Sequence, residues 1–185
     1  GAFMSREEAE RLAEETGTAV MEDAGRGWRK AVASPKPVEI VETDSIHALL
    51  SAGQIVIAAG GGGIPVVRME GNRLKGVPAV IDKDYAAEKL AEQLNADLLL
   101  ILTAVEKVAI NFRKPGEKWL NELSPAQARR YVEEGHFAPG SMLPKVEAAV
   151  KFAESAPGRS AVITHLEKAC QALAGLSGTL FRQPV

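Results

Sequence analysis

The stretch from Asp82 to Leu102, DKDYAAEKLAEQLNADLLLIL, contains a helix pattern and a strand pattern joined by a short turn. The apolar residues of the helix pattern recur at the spacing of one helix face: Ala87, Leu90, Ala91 and Leu94. After the turn Asn95-Ala96-Asp97, the all-apolar run Leu98 to Leu102 predicts a strand covered on both faces. A helix that leads directly into a buried strand is the repeating unit of an α/β fold with a parallel sheet.

The rest of the chain repeats this alternation. Ser5, with Glu8 three residues on, predicts a capped helix start, and Ser124-Pro125-Ala126-Gln127 predicts another. Apolar patterning predicts strands over 38–41, 55–59 and 161–164. It also predicts three helices: one that buries Ile46, Leu49 and Leu50, one that buries Val146, Ala149, Val150 and Ala153, and one over Leu166 to Leu173. A glycine-rich tail follows the last helix. The predicted fold class is α/β, with a mainly parallel sheet sandwiched between helices in three layers. Residues 1–37 are predicted to be a helix plus an irregular region, and residues 38–185 to form one α/β domain.

The composition is that of an ordinary globular chain. Of 185 residues, 46% are hydrophobic and 25% are charged, and the formal net charge is -2. This balance provides no broad positive field for nucleic acid or acidic lipid, and no apolar run approaches the roughly 20 residues of a membrane helix. The single cysteine, Cys170, excludes an intrachain disulfide and fits a reducing compartment, so a cytoplasmic protein with Cys170 in its core is predicted.

Ligands of parallel α/β sheets bind beyond the carboxyl ends of the strands, so the loops that leave the strands carry the candidate site. The run Gly60-Gly61-Gly62-Gly63 offers bare backbone N–H groups to a phosphate, although a tight turn with close strand–helix packing explains it equally well. Pro65 excludes the dinucleotide-binding glycine pattern, and no Gly-Lys-Ser/Thr follows. The three histidines form no metal or triad pattern, so no site of protein ligands alone is predicted for a metal, and Trp28 and Trp119 are assigned to packing.

Charged residues stand at two predicted helix starts. In Asp82-Lys83-Asp84, a lysine between two carboxylates stays protonated and oriented, as a group that neutralises transferred phosphate must be. Lys145 lies one turn into a helix that Gly140-Ser141-Met142 begins, with Ser141 as its cap, so the helix N-terminus and the ammonium can face one phosphoryl group. The plain alternatives are a capping aspartate beside a solvated lysine and an exposed lysine without a role. Thr103-Ala104-Val105 either contacts a nucleotide or is a simple connection.

Taken together and in this order, a set of segments resembles the carbamate kinases of the amino acid kinase family. The set comprises Glu22 to Arg29, Ala58 to Val67, Val80 to Asp84, Leu102 to Val105, Ile110 to Phe112, Gly140 to Ala149, and Gly178-Thr179. Each motif alone is weak, whereas the ordered set spans nearly the whole chain and is specific.

The resemblance implies reversible phosphoryl transfer between ATP and carbamate, giving ADP and carbamoyl phosphate, with Mg²⁺ accompanying the nucleotide, in a homodimer of arginine catabolism. It implies that Lys83 and Lys145 stabilise the transferred phosphoryl group and that Asp84, with Asp82 beside it, orients the lysines. The resemblance also implies two sets of binding residues. The phosphate and carbamate would be bordered by Gly60, Gly61, Gly62 and Gly63. The nucleotide would be held by Thr103, Ala104, Val105, Gly140, Ser141 and Met142. Residues 38–185 are then the nucleotide-binding domain, and residues 1–37 a remnant of an N-terminal, protruding part.

Departures from the family pattern suggest an incomplete chain. Complete carbamate kinases are longer, and the resemblance implies a missing N-terminal half with a Gly-Gly-Asn loop, much of the carbamate pocket and a third lysine. Leu143 stands where the family usually has glycine and would narrow the nucleotide entrance. The chain is therefore interpreted as the nucleotide-binding half of a kinase, which needs the missing half or self-association to cover its apolar surface. Another amino acid kinase and a non-catalytic nucleotide-binding fragment remain as alternatives.

Overall fold

A computed structural model describes residues 2–23 and 25–184 of the chain. The helices are α1 (Arg6–Thr16), α2 (Thr43–Ser51), α3 (Lys83–Gln93), α4 (Pro125–Glu133), α5 (Met142–Ser155) and α6 (Ala169–Leu173). The strands are β1 (Val20–Glu22), β2 (Trp28–Lys30), β3 (Val66–Arg68), β4 (Leu74–Gly76), β5 (Leu98–Thr103), β6 (Val108–Ile110), β7 (Lys118–Leu120), β8 (Glu122–Leu123), β9 (Ser160–His165) and β10 (Thr179–Arg182). None of the described helices has the length and apolar character needed to span a lipid bilayer.

The chain divides into two compact units. The first comprises Gly1–Pro35 and Ile64–Val80, and the second comprises Lys36–Gly63 and Ile81–Val185. Residues 64–80 thus group with the N-terminal unit, whereas the sequence pattern places them in the domain over 38–185. That the second unit is a nucleotide-binding domain stays a prediction.

The described residues of the first unit form helix α1, a short 3-10 helix (Glu70–Asn72) and two hairpins. The predicted capping box of α1 is confirmed, because the Ser5 hydroxyl accepts from the Glu8 backbone and the Glu8 carboxylate accepts from the Ser5 backbone. Strands β1 and β2 pair antiparallel, as do β3 and β4.

The second unit is built on a four-stranded sheet with the order β5-β9-β10-β8. Strands β5 and β9 are parallel, β9 and β10 are antiparallel, and β10 and β8 are parallel. Helix α5 packs against β5, β9 and β10 and also contacts α3 and α4, and the core forms around Phe152, Ile163 and Phe181. The predicted α/β class is confirmed, with a mixed sheet.

Two local predictions in this unit are also confirmed. The α4 start has Ser124 as its cap, Pro125 in its first turn and a capping box with Gln127. The predicted apolar stripe of α5 is buried, and Ala148 and Phe152 extend it.

Several predictions fail where a segment depends on neighbours distant in sequence. Residues 38–41 and 55–59 form no strand within the described chain, and Ile55 and Ile57 are each 96% exposed. Strand β5 buries only the face of Leu99 and Ile101, because it lies at the edge of the described sheet. Helix α2 buries Ile46 but exposes Leu49 and Leu50.

Two predictions near the C-terminus are wrong as well. The predicted glycine-rich tail contains strand β10, which lies in the middle of the sheet. Cys170 is exposed on α6 and not in the core, because this short helix contributes Ala172 to the interior instead.

Candidate functional site

The starts of α3 and α5 lie at the same edge of the sheet. Helix α3 leads into β5 and helix α5 leads into β9, and these two strands are parallel neighbours. Because each helix packs back along the strand that it precedes, both helix N-termini lie at the carboxyl ends of β5 and β9. The topology therefore brings the predicted charged residues of both helices to the edge where such sheets bind ligands.

At this edge, two lysines share one aspartate. Asp84 Oδ2 accepts a hydrogen bond from Lys83 Nζ at 3.0 Å and from Lys145 Nζ at 2.8 Å. The side chain of Asp84 is only 8% exposed and that of Lys145 12%, whereas that of Lys83 is 57% exposed. Asp82 caps α3, and its Oδ1 accepts from the Asp84 backbone N–H at 2.7 Å. Lys145 is thus held in a buried position, whereas Lys83, bound to the same carboxylate, is exposed to solvent.

Electrostatics favour the charged form of the exposed lysine. Burial alone lowers the pKa of Lys83. The hydrogen bond and the charge of Asp84, with Asp82 contributing, raise it by a larger amount, so the pKa lies above its ordinary value. Lys83 therefore remains a cation at neutral pH. Two ammonium groups around one buried carboxylate can neutralise an incoming anion such as a phosphoryl group.

The glycine run packs against the residue before Asp82. Gly62 has a φ of +134°, and a Cβ placed on it would lie 2.0 Å from the backbone oxygen of Ile81. Gly60 and Gly63 also have positive φ, whereas Gly61 does not, and a Cβ on Gly61 would meet nothing within 4 Å. Close packing is therefore the reason for glycine at position 62, while the backbone around it stays open. That this backbone borders an anion remains a prediction.

Replacing Gly62 with alanine is expected to lower the free energy of unfolding by at least about 2 kcal/mol, since the left-handed conformation and the collision with Ile81 both oppose a side chain. For a chain of this size, that loss corresponds to a fall in melting temperature of roughly 4–8 °C. Gly61→Ala is the matched control and should melt like the unmodified protein. Equal melting temperatures of the two variants in thermal unfolding would contradict this account.

The segment Thr103-Ala104-Val105 leaves β5 at the same edge and borders a cavity. The cavity measures about 370 Å³ and is lined by Val105, Glu106, Lys107 and Trp119. Glu106 anchors this loop, because its carboxylate accepts from Lys168 Nζ at 2.5 Å and from Ser177 Oγ at 3.1 Å. The hydrogen bond from Lys168 is the main cause that lowers the pKa of Glu106. The loop is therefore tied to the residues that follow β9.

The start of α5 differs from its prediction in one respect. Ser141 occupies the cap position, but its side chain makes no capping hydrogen bond, because its backbone adopts φ −135° and ψ −91° and not the usual cap conformation. Gly140 and Ser141 are exposed, whereas Met142 and Leu143 are half-buried and pack against the core. In the first turn of α5, the Leu143 N–H donates instead to the backbone oxygen of Ala138 at 3.1 Å, and Pro144 has no N–H.

Sequence patterns missed part of this edge. They gave no sign that Trp119 lines a cavity, or that Glu88 of α3 and Lys151 of α5 form a second ion pair between the helices. The predicted α3 stripe is confirmed only in part: Ala91 is buried, and Leu90 and Leu94 are half-buried, but Ala87 is exposed. The buried face of α3 also includes Asp84 and Glu88, whose partners are lysines of another helix. The spacing of four residues between the two acids is the one signal that places them on the same helix face.

The fold and the cluster of Lys83, Asp84 and Lys145 define an α/β protein with a cationic site at the carboxyl edge of its parallel strands. The model of the amino acid kinase family matches residues 8–165, and the chain belongs to that family.

Particular relatives of this chain are carbamate kinases. It is 58% identical over 183 residues to a carbamate kinase-like protein of Escherichia coli, covering 99% of this chain and 58% of the relative. It is 59% identical over 179 residues to a carbamate kinase of Clostridium perfringens, covering 97% of this chain and 57% of the relative. The structure of carbamate kinase from Giardia lamblia bound to AMP-PNP superposes with a TM-score of 0.86 at 44% identity, over 100% of this chain and 58% of that one. The chain thus spans less than three fifths of the length of these relatives.

Proposed function

We propose that this chain is the nucleotide-binding part of a carbamate kinase, which interconverts ATP and carbamate with ADP and carbamoyl phosphate. The observation that carries the proposal is the cluster in which Lys83 and Lys145 converge on the buried Asp84. The similarity to carbamate kinases supports the same reaction.

Phosphoryl transfer needs positioning and charge neutralisation more than covalent chemistry, and the cluster supplies both. Lys145, fixed by Asp84, would hold one side of the transferred group, and the more exposed Lys83 would follow the group between donor and acceptor. Asp82 would keep the α3 start in its capped conformation. Carbamate is so small that backbone groups such as those of Gly60 to Gly63, together with lysines, are sufficient to bind it.

The nucleotide would lie along Thr103-Ala104-Val105 and Gly140-Ser141-Met142. Both segments lie at the carboxyl edge, and the cavity beside Val105 and Trp119 offers an apolar wall to a base. The N-terminal end of the α5 dipole, together with the Lys145 ammonium in the first turn, suits a phosphate.

We also propose that Mg²⁺ accompanies the nucleotide. Within residues 2–23 and 25–184, no three His, Cys, Asp or Glu side chains are grouped so that they could hold a metal ion. Mg²⁺ is commonly held by substrate phosphates with one or two carboxylates and water, and the Asp82 carboxylate at this edge suits that mode. The ion would neutralise phosphate charge when bound with ATP or ADP.

The active assembly is proposed to include further polypeptide. Ile55 and Ile57 are exposed, and within the described part of the chain the extended segment around them pairs with no strand. A strand with unpaired backbone and exposed β-branched side chains needs a neighbour. The family relatives contain additional sequence that could supply one, and the resemblance implies an N-terminal half and a homodimer. A cytoplasmic location is proposed from the single cysteine.

The proposed function is tested by measuring ATP formation from ADP, Mg²⁺ and carbamoyl phosphate. The 185-residue chain is assayed alone and with the N-terminal part of the Clostridium perfringens relative, and the intact mass of each sample is recorded. Turnover in either sample supports a carbamate kinase. ADP binding without turnover in both samples favours the non-catalytic nucleotide-binding fragment.

The substrate that is phosphorylated distinguishes a carbamate kinase from another amino acid kinase. If ATP is consumed with other small acids or with a nucleoside monophosphate, but carbamoyl phosphate does not phosphorylate ADP, the carbamate branch is wrong. A screen of these acceptors with the same samples gives this result directly.

ADP binding is expected to change the fluorescence of Trp119. Trp119 is one of two tryptophans, lines the cavity beside Val105 and packs edge-to-face on Phe112 at 5.8 Å. We expect a Trp28→Phe variant, in which Trp119 alone emits, to show a saturable change with MgADP, whereas Trp119→Phe should show none. A full signal in Trp119→Phe would exclude this cavity as the nucleotide site.

A further inference from the structure

A second ion pair, with a buried carboxylate and a half-exposed lysine, joins α3 to α5 further along the helices than the pair of Asp84 and Lys145. Glu88 Oε2 accepts from Lys151 Nζ at 2.9 Å, and Glu88 is only 1% exposed. Glu88 stands one helical turn after Asp84 on the same face of α3, and Lys151 follows Lys145 along α5. The same two helices are therefore tied at two successive levels, first at the candidate site and then below it.

The Glu88 carboxyl has a second oxygen that needs a partner. Within the described residues, Oε1 of Glu88 is buried and receives no hydrogen bond. Glu92 lies one turn further along α3, and its Oε2 accepts from Lys89 Nζ at 2.5 Å and lies 3.9 Å from Lys151 Nζ. A buried polar atom without a partner is costly, and a proton on Glu88 that hydrogen-bonds to Glu92 would remove that cost.

The charges around the pair agree with a shared proton. Burial raises the pKa of Glu88, with Lys151 and Lys89 opposing and the neighbouring Glu92 carboxyl adding to the rise. The pKa of Glu92 is lowered, mainly by its hydrogen bond from Lys89. Arg159 donates to Asn95 and to the backbone oxygen of Glu92. Other charged residues line the same cavity as Lys151: Lys36, Arg129, Glu133, Glu147 and Glu154. Of the two carboxyls, Glu88 is therefore the one that takes up a proton first as pH falls.

We propose that Glu88 is a positioning residue for the phosphoryl site: by binding Lys151 it fixes α3 against α5 and so sets the contact of Asp84 with Lys145. Glu88 touches neither lysine of the site, and it would act only through the relation of the two helices. The kinetic consequence of this inference rests on the proposed function, but the structural consequence does not.

The structural consequence is tested by the reactivity of Lys145. In the 185-residue chain, the rate of lysine acetylation by acetic anhydride is resolved by residue with mass spectrometry between pH 7 and 9. Glu88→Leu keeps the size of the side chain and removes its polar contacts, and Lys151→Met removes the partner at a position that is 48% exposed. Glu88→Gln can still accept from Lys151 and donate to Glu92, so it is the conservative variant.

The controls separate positioning from general loss of stability. Ile163→Val lies on β9 in the core, distant from the pair in sequence, and is expected to destabilise by about 0.5–1.5 kcal/mol. Lys114, which is exposed, serves as the reference lysine for the reagent.

We expect Glu88→Leu and Lys151→Met to raise the acetylation rate of Lys145 about threefold to tenfold relative to Lys114, since access to a held lysine requires local opening. Glu88→Gln and Ile163→Val should leave that rate near its original value. The proposal is overturned if Lys151→Met leaves the Lys145 rate unchanged, or if Ile163→Val raises it equally. Because Lys151 is half exposed, this variant decides the matter even if Glu88→Leu fails to fold.

A second readout applies to the sample that turns over carbamoyl phosphate. There, Glu88→Leu should lower kcat about tenfold with little change in the affinity for ADP, and Glu88→Gln should restore it. If the unmodified protein shows no turnover in any sample, the proposed function fails, whereas the acetylation result still decides the role of Glu88.

Discussion

Alanine in place of Lys145 is expected to lower the rate of ATP formation from ADP and carbamoyl phosphate about 10²- to 10³-fold, with ADP affinity changed by less than about threefold. Lys145 lies in the first turn of α5, and Asp84 holds its ammonium group in position, with Nζ 2.8 Å from Asp84 Oδ2. A water molecule that replaces the ammonium carries no charge and must itself be ordered. The loss should therefore fall on kcat, as expected for a contact that strengthens in the transition state.

The matched control is Lys114→Ala, which removes an exposed lysine and should leave turnover unchanged. Circular dichroism and thermal unfolding of both variants would establish that the fold is intact. If Lys145→Ala keeps more than a third of the original rate, Lys145 does not stabilise the transferred group.

The features of the fold and of the site that the sequence predicts correctly are local. Asp82 caps α3 because a carboxylate two residues before the Asp84 N–H can accept from it, and this relation is visible in the tripeptide itself. Ser124 and Gln127 define the α4 start in the same way. Such contacts involve residues within one turn, so spacing alone determines them.

The contacts between α3 and α5 are not local, and the sequence predicts them only in part. The charges of Lys83 and Lys145 suggest a common anion, but nothing in the pattern shows that Asp84 binds both. Glu88 looks like a solvent-facing residue of a helix with an alanine and leucine stripe, yet it is buried, because Lys151 of α5 supplies its counter-charge. Pairing across sixty or more residues depends on the packing angle of the helices, which periodicity does not encode.

The failed strand predictions have a related cause. An apolar run indicates that a segment is stable where both of its faces are buried, and the run 55–59 has the composition of a strand covered in this way. Within the described residues that cover is missing, so Ile55 and Ile57 are exposed and the segment remains extended without a partner. The prediction for β10 is wrong in the opposite direction. This short sequence between a glycine and a proline looks like a tail, but pairing with β8 and β9 makes it a central strand of the sheet.

Asparagine in place of Asp84 is expected to lower turnover by at least about 10²-fold and to bring the pKa of Lys83 down toward its ordinary value. The amide has nearly the same size as the carboxylate but no charge, so Lys83 and Lys145 both lose the carboxylate that binds them. Because the folded-state pKa of Lys83 is raised, its ammonium stabilises the fold at all pH values below the ordinary lysine pKa, and this contribution is lost as pH rises through the folded pKa. In the variant, the loss should begin at lower pH, which NMR titration of the lysine side chains would detect, with Lys83→Arg identifying the resonance.

The control for this substitution is Asp44→Asn, which changes an exposed aspartate in the first turn of α2 and should alter neither turnover nor the titration of Lys83. The double variant Asp84→Asn with Lys145→Ala then separates two roles of Asp84. If Asp84 acts by orienting Lys145, the double variant should be little slower than Lys145→Ala alone, since the carboxylate has nothing left to orient except Lys83. Fully multiplied losses would instead mean that Asp84 acts on the reaction independently of Lys145, and the view of one carboxylate that positions two cations would have to be abandoned.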